Sequence, residues 1–163
     1  MLFRSEKTVY TDDVPSSSID KYIAVQAERF RSPVFRIFHT ELEAVYEEKN
    51  RGLDNDGRKV QEKLFSELFK NHNYGKQTTI GTIEHLKNPS LLEIRKYFNT
   101  YYVPNNMGVI MSGDFDPDVM IKKIDAAFSF MQPKPVPKYT FEPEQPIAAP
   151  VVAEVFEIGR AHV

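Results

Sequence analysis

The most informative segment of the chain runs from Val34 to Glu48 and reads VFRIFHTELEAVYEE. At 100° per residue it predicts an amphipathic helix, with Glu41 and Glu48 lying within the apolar face. Burying an ionised carboxylate without a partner costs several kcal/mol, so this pattern requires a cation. An arginine, a lysine or a metal ion could supply it. The apolar residues of the predicted face are Val34, Ile37, Phe38, Ala44 and Val45.

The composition is typical of a globular protein. The chain has 163 residues, of which 41% are hydrophobic and 27% are charged, and its net charge is −2. This charge argues against a nucleic-acid partner, which usually requires a basic face. No apolar run approaches about 18 residues, so no membrane span is predicted. Because the chain contains no cysteine, a metal site would have to use histidine and carboxylate ligands.

The hydrophobic periodicity predicts an α+β fold, in which a layer of helices packs on an incomplete antiparallel or mixed sheet. Three short runs rich in β-forming or apolar residues predict strands, at Glu6–Thr11, Met107–Ser112 and Val151–Phe156. Five segments with helical spacing predict helices, at Ile19–Phe30, Pro33 to about Asn50, Arg58–Lys70, Ser90–Tyr102 and Pro117–Met131. A long polar loop is predicted between the third and fourth helices, at Asn71–Pro89.

Several motifs occur in an order that is typical of one protein family. They are ELEAVYEE at Glu41–Glu48, HNYG at His72–Gly75, TIG at Thr79–Gly81, YFNTYYVPNN at Tyr97–Asn106 and MGVIMSGDFDP at Met107–Pro117. Together they resemble the pitrilysin/insulinase (M16-type) family of zinc metallopeptidases, which includes mitochondrial processing peptidase. The resemblance extends over nearly everything between Lys7 and Met131. It implies a truncated form of the pitrilysin/mitochondrial-processing-peptidase-like α+β fold.

The resemblance also implies a role for each of the two glutamates. In the family, the zinc is bound by two histidines of an inverted His-x-x-Glu-His helix and by a later glutamate. Glu48 matches this third ligand, and Glu41 matches a glutamate that supports the site without binding the metal. The chain contains no His-x-x-Glu-His, and only 47 residues precede Glu48. We therefore expect both histidine ligands, and the glutamate that activates water, to lie upstream of Met1.

The function implied by the resemblance is hydrolysis of peptide bonds by a zinc-activated water. The expected partners are a peptide or unfolded polypeptide substrate and a homologous second half or subunit that closes the chamber. The expected compartment is the bacterial periplasm or cell envelope. Two alternatives stay open at this point: a non-catalytic homologous subunit with a structural or substrate-binding role, and a helical interaction domain with a buried Glu–Arg network.

The resemblance implies a division of the chain. Residues 6–131 are expected to be the C-terminal part of the first metallopeptidase domain, residues 132–150 a proline-rich linker, and residues 151–157 the start of the next domain. Residues 1–5 and 158–163 resemble translated sequencing-adapter sequence. We therefore expect a fragment that is inactive by itself and does not retain zinc.

Other polar residues have simpler interpretations. Glu48 could instead form a structural ion pair, and an error of one residue in register would exchange it for Glu47. His39 is expected to be solvated on the polar face, and we expect His72 and His85 to be packing or capping residues. Asp116 is expected to cap a helix that begins with proline. The alternating aspartates around it lack the glycine and glutamate that a calcium loop requires.

Overall fold

The computed structural model describes residues 6–156 and the backbone of Leu2–Phe3. Seven α-helices lie within them: α1 Ile19–Arg31, α2 Phe38–Leu53, α3 Asp56–Leu68, α4 Asn73–Lys76, α5 Ile83–Lys87, α6 Leu91–Tyr101 and α7 Pro117–Phe128. The strands are β1 Leu2–Phe3 and β2 Thr8–Val9, which pair antiparallel. Short 3-10 helices occupy Ser16–Ser18 and Pro104–Asn106. None of the helices among the described residues has the length and apolar character needed to cross a bilayer.

The helix predictions are confirmed, with one error in position. The predicted boundaries of α1, α3, α6 and α7 agree with the structure to within about three residues. Five helices begin at a side chain that accepts a backbone N–H bond, at Asn55, His72, Thr82, Ser90 and Asp116. The predicted start of α2 is wrong, because this helix begins at Phe38 and not near Pro33. Residues 33–37 form a non-helical connection instead.

The predicted α+β fold class is wrong, because the described chain is nearly all helical. Extended pairing is confined to two residues in each of β1 and β2, and no sheet backs the helices in the described part. The predicted strands at Met107–Ser112 and Val151–Phe156 are irregular. A strand needs a neighbour to bind its backbone N–H and C=O groups, and apolar composition alone cannot supply one.

The helices divide between two compact units. The first unit contains β1, β2, α2 to α5 and the segment from Tyr139 onward, and the second contains α1, α6 and α7. In the second unit, α1 packs on α7 and an apolar core forms from Ile23, Ala27, Val103 and Met120. In the first unit, α2 packs against α3 and α5.

Two segments predicted to lack long regular elements behave differently from each other. The loop Asn71–Pro89 contains the short helices α4 and α5, so it is locally structured. Residues 132–150 contain no helix or strand, as their proline content predicts. The predicted adapter-derived ends lie outside the described residues, apart from the backbone of Leu2–Phe3.

Candidate functional site

Helix α2 carries both glutamates that the sequence selects. Glu41 lies in its first turn, Glu48 lies two turns later, and the helix continues without a break to Leu53. A separation of seven residues places them on the same side, about 20° apart around the axis. Both are exposed, and within residues 6–156 neither carboxylate has a hydrogen-bond or ion-pair partner. The structure therefore shows two free carboxylates on one face of a continuous helix.

The predicted burial of this pair is wrong. Val34 and Ile37 are 74% and 62% exposed and precede the first helical residue. The side chains of α2 that turn inward include Leu42, Tyr46 and Lys49. The predicted apolar face includes Val34 and Ile37, which are not helical, and counting them rotates that face toward the glutamates. Glu41 and Glu48 instead lie together on one side of the inward-facing residues.

Lys49 is the residue of this helix that sequence reasoning missed. It is only 7% exposed, and its Nζ atom lies 3.7 Å from Oε1 of Glu62 on α3. A signal for it existed in the sequence, because Lys49 follows Leu42 by seven residues and Val45 by four. Those spacings place the lysine on the apolar side of α2. The buried charge of this helix is therefore a cation and not a carboxylate.

The residues present do not complete a zinc site. No group of three histidine or carboxylate side chains within the described residues is placed to hold a metal ion. Glu48 supplies a free carboxylate, which is a suitable zinc ligand, and Glu41 supplies a second one nearby on the same helix face. The chemistry of the donor set thus fits one ligand and one supporting group.

The histidines have the structural roles that the sequence predicts. His39 is exposed, and its ring contacts Phe38. The Nδ1 atom of His72 accepts the backbone N–H of Tyr74 at 3.2 Å and caps α4. His85 forms a capping box with Thr82 at the start of α5. None of these three histidines belongs to a metal-binding group among the described residues.

A carboxylate also caps the loop between α3 and α4. Glu144 Oε1 accepts the backbone N–H groups of Asn71 and His72, each at 2.8 Å, and its Oε2 accepts that of Lys70 at 3.0 Å. Partial burial raises the pKa of Glu144. The three N–H bonds and the nearby His72 together lower it more, so the pKa lies below its ordinary value. The part of the proline-rich segment around Glu144 is therefore attached to the α3–α4 loop within the first unit.

The second unit contains an aromatic cleft of about 480 Å³. Phe30 stacks on Phe98 and Tyr102, and the hydroxyls of Tyr10 and Tyr102 lie 3.2 Å apart. Burial and this hydrogen bond raise the pKa of Tyr10, so its hydroxyl stays neutral at physiological pH. Tyr102, which follows the end of α6, thus contributes packing to the second unit. Tyr97 at the rim is 58% exposed.

Two comparisons with known proteins bear on the class of this protein. Residues 90–163 match the family model described as the Peptidase M16 inactive domain. An uncharacterized zinc protease of Rickettsia felis (strain ATCC VR-1525 / URRWXCal2) is 22% identical over 129 residues, which cover 78% of this chain. The chain spans about a third of that relative's length, 31%. These findings confirm the resemblance to M16-type (pitrilysin/insulinase) peptidases that the sequence motifs indicate.

Proposed function

We propose that the full-length protein containing this chain is a zinc-dependent metalloendopeptidase, and that Glu48 supplies one carboxylate ligand to its metal. The observation that carries the proposal is the free, exposed pair of Glu41 and Glu48 on one side of α2. The similarity to M16 peptidases and to a zinc protease supports it. When bound by three protein ligands, zinc leaves a position for water and lowers the pKa of that water toward about 7.

The surroundings of Glu48 suit a ligand. A carboxylate that is already paired with a lysine or arginine would bind a metal less well, because the cation competes for its lone pairs. The next residue is a lysine, but the Lys49 side chain turns inward to Glu62. Glu48 is therefore left free although a cation follows it directly in the sequence. The alternative of a structural ion pair at Glu48 finds no partner within the described residues.

Glu41 is proposed to support the site without binding the metal regularly. Its carboxylate lies two helical turns before Glu48 on the same side of α2, where it can accept a hydrogen bond from a ligand or from water. The proposed substrates are peptides or unfolded polypeptide segments, enclosed with a homologous second half or subunit. The periplasm or cell envelope remains the proposed compartment.

The decisive experiment is Glu48→Gln in the full-length protein, with Glu47→Gln as its matched control. Both residues are exposed glutamates on α2, and only Glu48 lies on the same face as Glu41. We expect Glu48→Gln to lose bound zinc and hydrolysis of an internally quenched peptide, while Glu47→Gln keeps both. Retention of zinc and activity by Glu48→Gln would refute the proposal. Loss of zinc and activity in Glu47→Gln alone would show that Glu47, and not Glu48, is the ligand.

A second candidate is a non-catalytic subunit of a related assembly. The match of residues 90–163 to a domain described as inactive favours it. However, α2 with both glutamates lies outside the matched residues, so that match says nothing about the carboxylates. Zinc content of the purified full-length protein separates the two candidates. A metal-free protein without hydrolytic activity, in zinc-supplemented buffer, would support the subunit.

A further inference from the structure

The rotation of α2 about its own axis decides where Glu48 points. Consecutive residues of a helix lie about 100° apart, so whatever fixes the direction of Lys49 also fixes that of Glu48. Lys49 is the one side chain of α2 that is buried, and the other inward residues are only half-buried. A charged side chain is therefore the most buried residue on the inward face of this helix.

The ion pair of Lys49 with Glu62 is suited to fixing this rotation. Apolar contacts such as those of Leu42 are non-directional and tolerate small sliding movements. A buried ammonium group loses much of its hydration, so it must stay close to its counter-charge. The Nζ–Oε1 distance of 3.7 Å links the middle of α3 to the last part of α2. Moving either helix would separate a largely buried lysine from its counter-charge.

We propose that Lys49 and Glu62 form a positioning pair, which holds α2 in the rotation that aims Glu48 at the metal. This inference rests on the proposed function of Glu48. A helix rotation of about 20° would move a carboxylate about 6 Å from the axis by about 2 Å. Metal–ligand distances tolerate only about 0.2 Å, so such a shift would separate ligand and ion. Neither residue touches the metal or the substrate in this account.

The test uses Lys49→Met in the full-length protein, because methionine keeps the length of the side chain and its apolar stem. We expect kcat for peptide hydrolysis to fall about tenfold to hundredfold, since displacement by about 1 Å can cost that much. KM is expected to change less than about twofold, because the substrate-binding surface is intact. Zinc should dissociate faster in a chelator chase. Lys49→Arg, which restores the cation, is expected to recover most of both losses.

Lys63→Met is the matched control. Lys63 lies on α3 and its ammonium pairs with Glu67 at 2.7 Å, but its side chain is 42% exposed, against 9% for that of Lys49. This variant removes a comparable ion pair from the same region and should leave kcat and zinc release unchanged. If Lys49→Met does not fold, Glu62→Gln tests the same pair, because Glu62 is 38% exposed in its side chain and tolerates substitution better.

The outcomes separate the two levels of the argument. A folded Lys49→Met or Glu62→Gln with unchanged kcat and zinc release, alongside loss of both in Glu48→Gln, would overturn the positioning role alone. Lower thermal stability with unchanged kcat at the assay temperature would have the same meaning, because a merely structural pair predicts it. If Glu48→Gln retains zinc and activity, both the proposed function and this inference fail.

Discussion

The carboxylate of Glu144 and the backbone N–H of His72 are joined by a 2.8 Å hydrogen bond across 72 positions of sequence. The same carboxylate binds the N–H groups of Asn71 and Lys70, and the ring of Phe141 lies 4.2 Å from that of His72. Hydrogen bonds to an ionised acceptor are roughly twice as strong as neutral ones. The part of the proline-rich segment around Glu144 is thus held by specific contacts.

Glu144→Gln is expected to release this segment. The amide keeps one acceptor oxygen but places an NH₂ group against a backbone donor, and it removes the negative charge. We expect amide hydrogens of residues 70–72 to exchange about tenfold faster in hydrogen-exchange mass spectrometry, which corresponds to about 1.4 kcal/mol. Glu142→Gln is the matched control, because Glu142 is exposed and two residues away. Equal exchange in wild type and Glu144→Gln would contradict the attachment.

The attachment should weaken in acid. The pKa of Glu144 lies below its ordinary value of about 4.5 in the folded state, so the carboxylate stabilises the attached segment fully above that value. This stabilisation is lost as the pH falls through the lowered pKa. We expect pepsin to cleave near Phe141 increasingly as the pH is lowered from about 4.5 toward 2. Glu144→Gln should be cleaved already at the upper end, whereas Glu142→Gln should follow the wild type.

The sequence was sufficient for the helices whose signals are local. Helix α7 illustrates this, because Asp116 followed by Pro117 predicts both the cap and the first helical residue. Helix α6 likewise follows its cap at Ser90. Such signals depend on neighbours within four residues, so no tertiary information is needed to interpret them.

The inward face of α2 could not be predicted in the same way. Its apolar residues are few, and the predicted direction of the apolar face around the helix axis depends on whether Val34 and Ile37 are counted as helical. The inward face is the one that contacts α3 and α5, and these contacts join residues distant in sequence, such as Lys49 and Glu62, which are 13 residues apart. The functional importance of Glu41 and Glu48 was therefore inferred from a burial that the structure contradicts, and it now depends on their family pattern and their free carboxylates.

The sheet was mispredicted for a related reason. Met107–Ser112 has a composition that suits a buried strand, yet Ile110 is 96% exposed and the segment pairs with no strand among the described residues. Strand formation depends on a partner distant in sequence, and the pattern of one segment cannot reveal whether that partner is within reach. Helices satisfy their own backbone hydrogen bonds, which explains why they were predicted better.

Gly75→Ala is expected to disrupt the loop between α3 and α4. A Cβ atom at Gly75 would overlap the carbonyl oxygen of Phe69 and lie 2.7 Å from that of Phe65, and both are backbone atoms that cannot rotate away. We expect a cost of about 1–3 kcal/mol, seen as faster hydrogen exchange in α4 and the end of α3. Gly108→Ala is the control, since an added Cβ there meets no atom within 4 Å. Unchanged exchange in Gly75→Ala would show that the close approach is absent.

Asp116→Ala is expected to weaken the start of α7. Oδ1 of Asp116 accepts the N–H groups of Asp118 and Val119 at 2.9 and 3.1 Å, and losing such a cap costs about 1 kcal/mol. Hydrogen exchange at these two amides should accelerate about fivefold, because about 1 kcal/mol corresponds to that factor. Asp114→Ala, at an exposed aspartate without such bonds, should have little effect. If the aspartates formed a calcium loop instead, Ca²⁺ would slow exchange here and Asp114→Ala would abolish that effect.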